Sequence, residues 1–292
     1  MGLYALANQA AAVPLTAHFD YFLVTPDDTA TPCEPGGEAP VVETTVSPEA
    51  PTGKNGWYRG PVTVPATATG GVGDVELEHR VDGGDWVAST EPVVVDEDGE
   101  HTVEFRATDS EGTQSEPAAV TVKIDATAPT LAVKGVKNGD QLSVAAQRRL
   151  RLTVGDQASG VARQVVKVDG KALTAPYVVD AVALLSGRHR VVVTVTDAAG
   201  NVTTQRMTFR VVPTYRGARQ LVARLDQEDR LAPKVARKMT RQLVNAARFD
   251  RKNKVRQARK ALTTYAQLGR RADDRSARVA LRDVSRQLKR KL

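Results

Sequence analysis

The chain has 292 residues, enough for two or three domains of ordinary size, and carries a formal net charge of +7. Hydrophobic residues make up 41%, which favours packed modules, and aromatics only 4%, so that large aromatic binding platforms are few. A single cysteine, Cys33, excludes a disulfide-stapled scaffold, and no apolar run reaches the ~18 residues of a membrane span. The charge is graded along the chain. Residues 1–46 carry −6, residues 47–125 carry −11, residues 126–213 carry +7 and residues 214–292 carry +17. An acidic front and a basic end point to an anionic partner for the C-terminal part.

In chain order, Leu3–Ala7 and Leu15–Val24 read as two strands, too few to bury a sheet face by themselves. Met1-Gly2-Leu3-Tyr4 lacks the basic start of a secretory signal. Residues 25–51 hold six prolines among Thr, Glu and Gly, the texture of a semi-extended linker, and Cys33 lies in it as a free thiol. Over 52–126, apolar residues alternate with polar ones: Val62 and Val64, then Val75, Leu77, His79 and Val81, then Val103, Phe105 and Ala107, then Val120, Val122 and Ile124. Period-two alternation with turns every 8–12 residues predicts an antiparallel β-sandwich. The scheme repeats over 127–213. Val81-Asp82-Gly83 recurs 87 residues on as Val168-Asp169-Gly170, and Gly99–His101 recurs 88 residues on as Gly187–His189. Such a self-match means two domains built alike, joined in line by the short Asp125-Ala126-Thr127-Ala128-Pro129 segment.

After Pro213 the alternation stops. Leu231, Val235, Met239, Leu243 and Ala246 fall at helical spacing, as do Val255, Ala258, Leu262 and Tyr265, and then Leu281, Val284 and Leu288. Gly269 suits a helix stop, and Asp273 or Asp274 the next start. Residues 214–292 are therefore expected to form a basic helical module, with helices over 216–225, 231–248, 251–268 and 274–290. The expected fold class is mainly β with an α-helical C-terminal module.

Three resemblances follow from these residues. Gly2-Leu3-Tyr4-Ala5 with Ala17-His18-Phe19-Asp20-Tyr21-Phe22-Leu23-Val24 resembles the closing strands of the concanavalin/laminin-G-like sandwich of secreted glycoside hydrolases, so that residues 1–24 would be the end of a larger sandwich. Asn55-Gly56-Trp57-Tyr58, Val81-Asp82-Gly83-Gly84-Asp85-Trp86 and Asp197-Ala198-Ala199-Gly200-Asn201 resemble bacterial Ig-like repeats of cell-surface and secreted proteins. The tail resembles the FIMAH-type helical module that closes some bacterial extracellular hydrolases. Together they imply the C-terminal part of a secreted or cell-surface, carbohydrate-associated protein whose segments space and dock. A structural or adhesion stalk is the alternative, and nucleic-acid binding through the tail is a third reading.

No catalytic set emerges from the sequence. His101 and His189 occupy equivalent core-parity positions, which suits a structural role, and no metal-ligand spacing surrounds any histidine. Asp96, Glu97, Asp98 and Glu100 read as a solvated turn; calcium there is the alternative, and no other cofactor is expected. Trp57 and Tyr58 are the candidate carbohydrate-stacking residues, set against a structural role in the repeat's opening strand. Arg286, Lys289, Arg290 and Lys291 are the candidate polyanion-binding residues, in a tail whose charges read as spread over most helical faces. Asn201-Val202-Thr203 fits a glycosylation triplet but lies in the repeat's turn. The expected partner is a polysaccharide or anionic cell-wall polymer, with no specific nucleic acid.

Overall fold

The computed structural model describes residues 38–292. The two strands expected within 1–24, Cys33 and the linker up to residue 37 lie outside the described residues. The linker reading gives way from Val41 onward. Val41–Thr44 is a strand, antiparallel to Ala66–Thr69, and Ser47 bridges Thr63. Its β-branched run Val41-Val42-Glu43-Thr44 fits a pleated edge despite the prolines on either side.

The first sandwich has a five-stranded sheet in the order Trp57–Tyr58, Ala118–Ile124, Gly99–Asp109, Val75–Val81, Val87–Ala88. The Val41–Thr44/Ala66–Thr69 and Val62–Val64/Val93–Val95 pairs complete it. The second sandwich repeats the plan as Gln141–Ser143, Val202–Val212, Gly187–Asp197, Val161–Val168, Lys171–Leu173. In both, the short first strand of the large sheet runs parallel to the last strand, and the other neighbours are antiparallel. The long strands alternate as the sequence pattern demands. Val103, Phe105, Ala107 and Asp109 point inward in one, and Val191, Val193, Val195 and Asp197 in the other. The Asp169-Gly170 turn has φ of 49° and 82°, the left-handed pair that a two-residue hairpin requires.

Each histidine of the repeated position is tied to the Asp of its Val-Asp-Gly turn. Asp82 Oδ2 lies 2.8 Å from His101 Nδ1, and Asp169 Oδ2 lies 2.7 Å from His189 Nδ1. The second oxygen of each Asp accepts a backbone N–H, from Thr102 or Arg190. These pairs pin a turn to the neighbouring strand, the structural role expected of them.

Four helices follow: α2 (Tyr215–Gln227), α3 (Pro233–Arg251), α4 (Val255–Gly269) and α5 (Arg275–Arg290). A one-turn helix, α1 (Ala181–Leu184), precedes them inside the second repeat, where no helix is expected from the sequence. Asp180 caps α1 by accepting from Val182 N, an effect too local to leave a periodic pattern. Thr214 caps α2, and Asp274 caps α5 by accepting from Ala277 N. Apolar stripes of all four helices are buried, and they share one continuous core with the second sandwich.

That junction is also polar. The Arg224 guanidinium grips Asp180 with bonds of 2.9 and 2.6 Å and donates to Ala145 O. Ser186 N donates to the buried Asp283, and Lys291 Nζ donates to Pro213 O. Burial pushes the Asp180 carboxyl up, but Arg224 and the Val182 N–H outweigh it and hold it below its ordinary value. Arg230 holds the α5 cap Asp274 well below the usual carboxylate range. Depressed carboxylates lend stability that is fully present above their unfolded pKa, about 4, and lost as pH falls through the folded values. Acidification from about pH 6 to about pH 3 should therefore lower the melting temperature of the helical part. Asp180→Asn should flatten that dependence; an equally steep acid loss in the variant would count against the junction as its source.

Candidate functional site

The joint between the sandwiches is the most elaborate polar site. Gly53 has no room for a side chain: an added Cβ would lie 2.7 Å from Ala199 O and 2.8 Å from Trp57 O, so only glycine lets the two repeats approach so closely. Lys54 N donates to Ala199 O and Asn55 Nδ2 to Ala198 O. Asn201, 4% exposed, is the centre of the joint. Its Nδ2 donates to Asp125 O and Thr127 O, and its Oδ1 accepts from Arg59 Nε at 2.7 Å. The residue that reads as a glycosylation acceptor is thus a buried lock.

Beside it stand three carboxylates. Asp125 ends the first sandwich, Asp156 lies in the turn after Arg151–Gly155, and Asp197 ends Gly187–Asp197. Each offers an oxygen within 4.8 Å of those of the other two. Asp125 accepts from Thr127 N and Ser159 N, and Asp156 from Gly160 N. Asp197 Oδ1 accepts from both Gly200 N and Asn201 N at 2.7 Å. A cleft of about 630 Å³ opens over Asp125 and Asp156, with Asp98 and Gln157 on its wall. Asp125 and Asp197 are 0% and 1% exposed, so a glycosidic bond could not reach between them. Burial, then Asp125 and Asp197, push the Asp156 carboxyl up. Nothing in the spacing of residues 125, 156 and 197 marks them as a group; only the folded turns bring them together. Of the acidic run expected as a turn, Asp96, Glu97 and Asp98 lie in the bend before Gly99–Asp109 and Glu100 is already in that strand; all four are exposed, Glu100 pairs with Lys123, and Asp98 accepts from Ala126 N.

The aromatic candidates separate. Trp57 and Tyr58 are successive residues of one short strand, so their side chains take opposite faces. Tyr58 turns inward, 6% exposed, into the first core, which removes it as a sugar-stacking residue. Trp57 remains half-buried. Trp86 lies beneath the guanidiniums of Arg80 and Arg106, 4.6 and 4.4 Å from its ring centre, each paired with a carboxylate across the strands.

The basic candidates also sort. Lys291 is engaged with Pro213 O, and Arg286 pairs at 2.8 Å with Asp283 while staying exposed. Lys289 and Arg290 belong to a larger surface. Arg275, Arg278, Arg282, Arg286 and Lys289 recur every three or four residues, which puts them on one face of α5. Adjoining clefts of about 420 and 570 Å³ run along this face, with Arg259 of α4 and Arg270, just past its end, on their other wall. The charges here form a groove, in place of the even spread expected from the sequence. No helix among the described residues is long and apolar enough to cross a membrane.

No protein-family model and no curated protein matches the sequence. Among solved structures, the chain is similar to the fibronectin(III)-like modules of CbhA from Clostridium thermocellum, at 16% identity over 58% of this chain and 94% of that one, TM-score 0.27. It is also similar to three N-terminal domains of the Hoc capsid protein of bacteriophage RB49, at 12% identity over 59% and 71%, TM-score 0.36. A third is the Bacteroides ovatus SGBP-B in complex with a mixed-linkage heptasaccharide, at 16% identity over 61% and 48%, TM-score 0.23. The fold itself defines the class: Ig-like β-sandwiches in series, with a helical module fused to the second.

Proposed function

We propose that the chain is a non-catalytic spacer and docking portion of a secreted or cell-surface, carbohydrate-associated protein. Its sandwiches set reach, and its helical module holds an anionic surface polymer. The observation that carries this reading is the basic groove between α4 and α5, in a part of the chain with 24 Lys and Arg against 7 Asp and Glu. Five basic residues on one helix face present a line of charge suited to a repeating phosphate or carboxylate chain. The FIMAH-type resemblance of residues 214–292 and the Ig-like resemblance of 52–126 and 127–213 support the same arrangement, and a hydrolase upstream belongs to the proposal through the concanavalin/laminin-G-like resemblance of 1–24. Trp57 is the remaining candidate for sugar contact.

The test is binding of the full chain to a phosphate-rich wall polymer of the teichoic type. Screening shortens from about 8 Å at physiological salt to about 3 Å at 1 M, so binding should weaken steeply with salt. Replacing Arg278, Arg282, Arg286 and Lys289 together by Gln should abolish most of it while the helical signal stays intact. Replacing Arg290 and Lys291 should do far less. Retention of one DNA sequence in high salt, or unchanged polymer binding by the fourfold variant, would overturn the docking role.

A further inference from the structure

The joint concentrates negative charge that the fold leaves unbalanced. None of Asp125, Asp156 and Asp197 has a Lys or Arg within ion-pair distance among the described residues. Arg59, at the joint, donates its Nε–H to Asn201 Oδ1. An independent observation sits in Asp197. Its carboxylate is 1% exposed, and Oδ2 has no hydrogen-bond partner. A buried, unpaired carboxylate oxygen is costly and is rare without a ligand.

The first repeat supplies the comparison. Asp109 holds the position equivalent to Asp197, at the inward end of the same strand, and is 5% exposed. There the carboxylate is fully satisfied by backbone. Oδ1 accepts from Glu111 N and Thr113 N, and Oδ2 accepts from Val72 N at 3.1 Å. The second repeat keeps the turn bonds to Oδ1 but leaves Oδ2 without a partner, in a cluster with two more carboxylates. One turn is therefore closed by the backbone, and its twin leaves a buried carboxylate oxygen unmatched.

We propose that Asp125, Asp156 and Asp197 form a binding site for one divalent cation, calcium by its chemistry, at the joint of the two sandwiches. The three ligands are hard oxygens with no histidine or cysteine among them, which disfavours zinc and copper. Calcium takes six to eight oxygens in a forgiving geometry, whereas magnesium demands a near-ideal octahedron. Carboxylates from three separate turns, with Asp98 and Gln157 lining the open side, suit the former. The ion would tie the end of the first sandwich to two turns of the second and fix the angle between them.

The experiment uses the full chain, stripped with a chelator and titrated with CaCl2 to about 10 mM, above the range typical of extracellular modules. Calorimetry should show one Ca2+ per chain, and Ca2+ should raise the melting temperature. Asp156→Asn should weaken Ca2+ roughly tenfold or more. That variant is expected to fold, because an amide oxygen can still accept from Gly160 N. Without Ca2+ it should melt at or above the parent, since one of three repelling charges is gone; a merely structural Asp156 would give a lower melting temperature. No binding by the parent, Mg2+ binding as tightly as Ca2+, or undiminished Ca2+ affinity in Asp156→Asn would each overturn the assignment.

Discussion

A chain carrying Leu221→Ala is expected to lose about 2–5 kcal/mol of stability. The loss should fall on the second sandwich and the helices together. Leu221 is 0% exposed on α2, the helix that lies between the two. On one side α2 meets the sandwich: an added Cβ on Gly217 would sit 2.8 Å from Ser143 Oγ and 3.5 Å from Val144 Cγ2. On the other side it packs on α3 and α5. Removing the isobutyl group costs its transfer free energy and leaves a cavity that neither a sheet nor a helix bundle can collapse alone. The readout separates the parts cleanly, because both tryptophans, Trp57 and Trp86, belong to the first sandwich. In a Trp57→Phe background, fluorescence follows the first sandwich through Trp86, while the helical circular-dichroism signal follows α2–α5. The helical transition should move to lower denaturant and the Trp86 transition should stay. If both moved together by the same amount, the shared core would not be confined to the second sandwich and helices.

The second expectation concerns Asn201→Ala. This change removes the donor for Asp125 O and Thr127 O and the acceptor for Arg59 Nε. Each buried polar group left unmatched costs about 1–3 kcal/mol, and the cost falls on the contact between the sandwiches. The melting temperature should drop, and small-angle scattering should show a wider spread of inter-sandwich angles. Asn201→Asp should be worse in the presence of a chelator. It also loses both donated bonds, and it adds a fourth carboxylate beside Asp125 and Asp197. A variant that melts and scatters like the parent would show that Asn201 is not the lock.

The sandwiches were legible in the sequence because their core rows obey a strict period of two and their turns carry the residues that left-handed φ demands, as at Asp169-Gly170. The helices were legible because buried residues such as Met239, Leu243 and Ala246 recur at helical spacing and Asp274 stands at a start. What escaped has a common cause. Val41–Thr44 is paired only because Ala66–Thr69 offers an edge, and α1 exists only because Asp180 caps it against the bundle. Tyr58 is buried while its neighbour Trp57 is not, a consequence of which face met the core. The carboxylates at 125, 156 and 197 come from three turns that carry no mutual spacing signal. The α5 charge stripe was readable, since residues 275, 278, 282, 286 and 289 share a face, but a count over the whole tail averages it away.

The parallel pairing at the ends of each large sheet has a mechanical consequence. Trp57–Tyr58 lies alongside Lys123–Ile124, and Gln141–Ser143 alongside Arg210–Val212. In each sandwich the first of these follows an antiparallel edge strand, Val41–Thr44 or Thr130–Lys134, and the second belongs to the last strand. Once that edge strand has peeled away, tension along the polypeptide slides the two parallel segments past each other and loads their hydrogen bonds in shear, so that they must yield together. An antiparallel arrangement at the same place would open like a zipper, one bond at a time. Resistance of this kind is governed by the height of the unfolding barrier and not by the equilibrium stability. A tether between a surface and a polymer that flows past it would be held by that barrier.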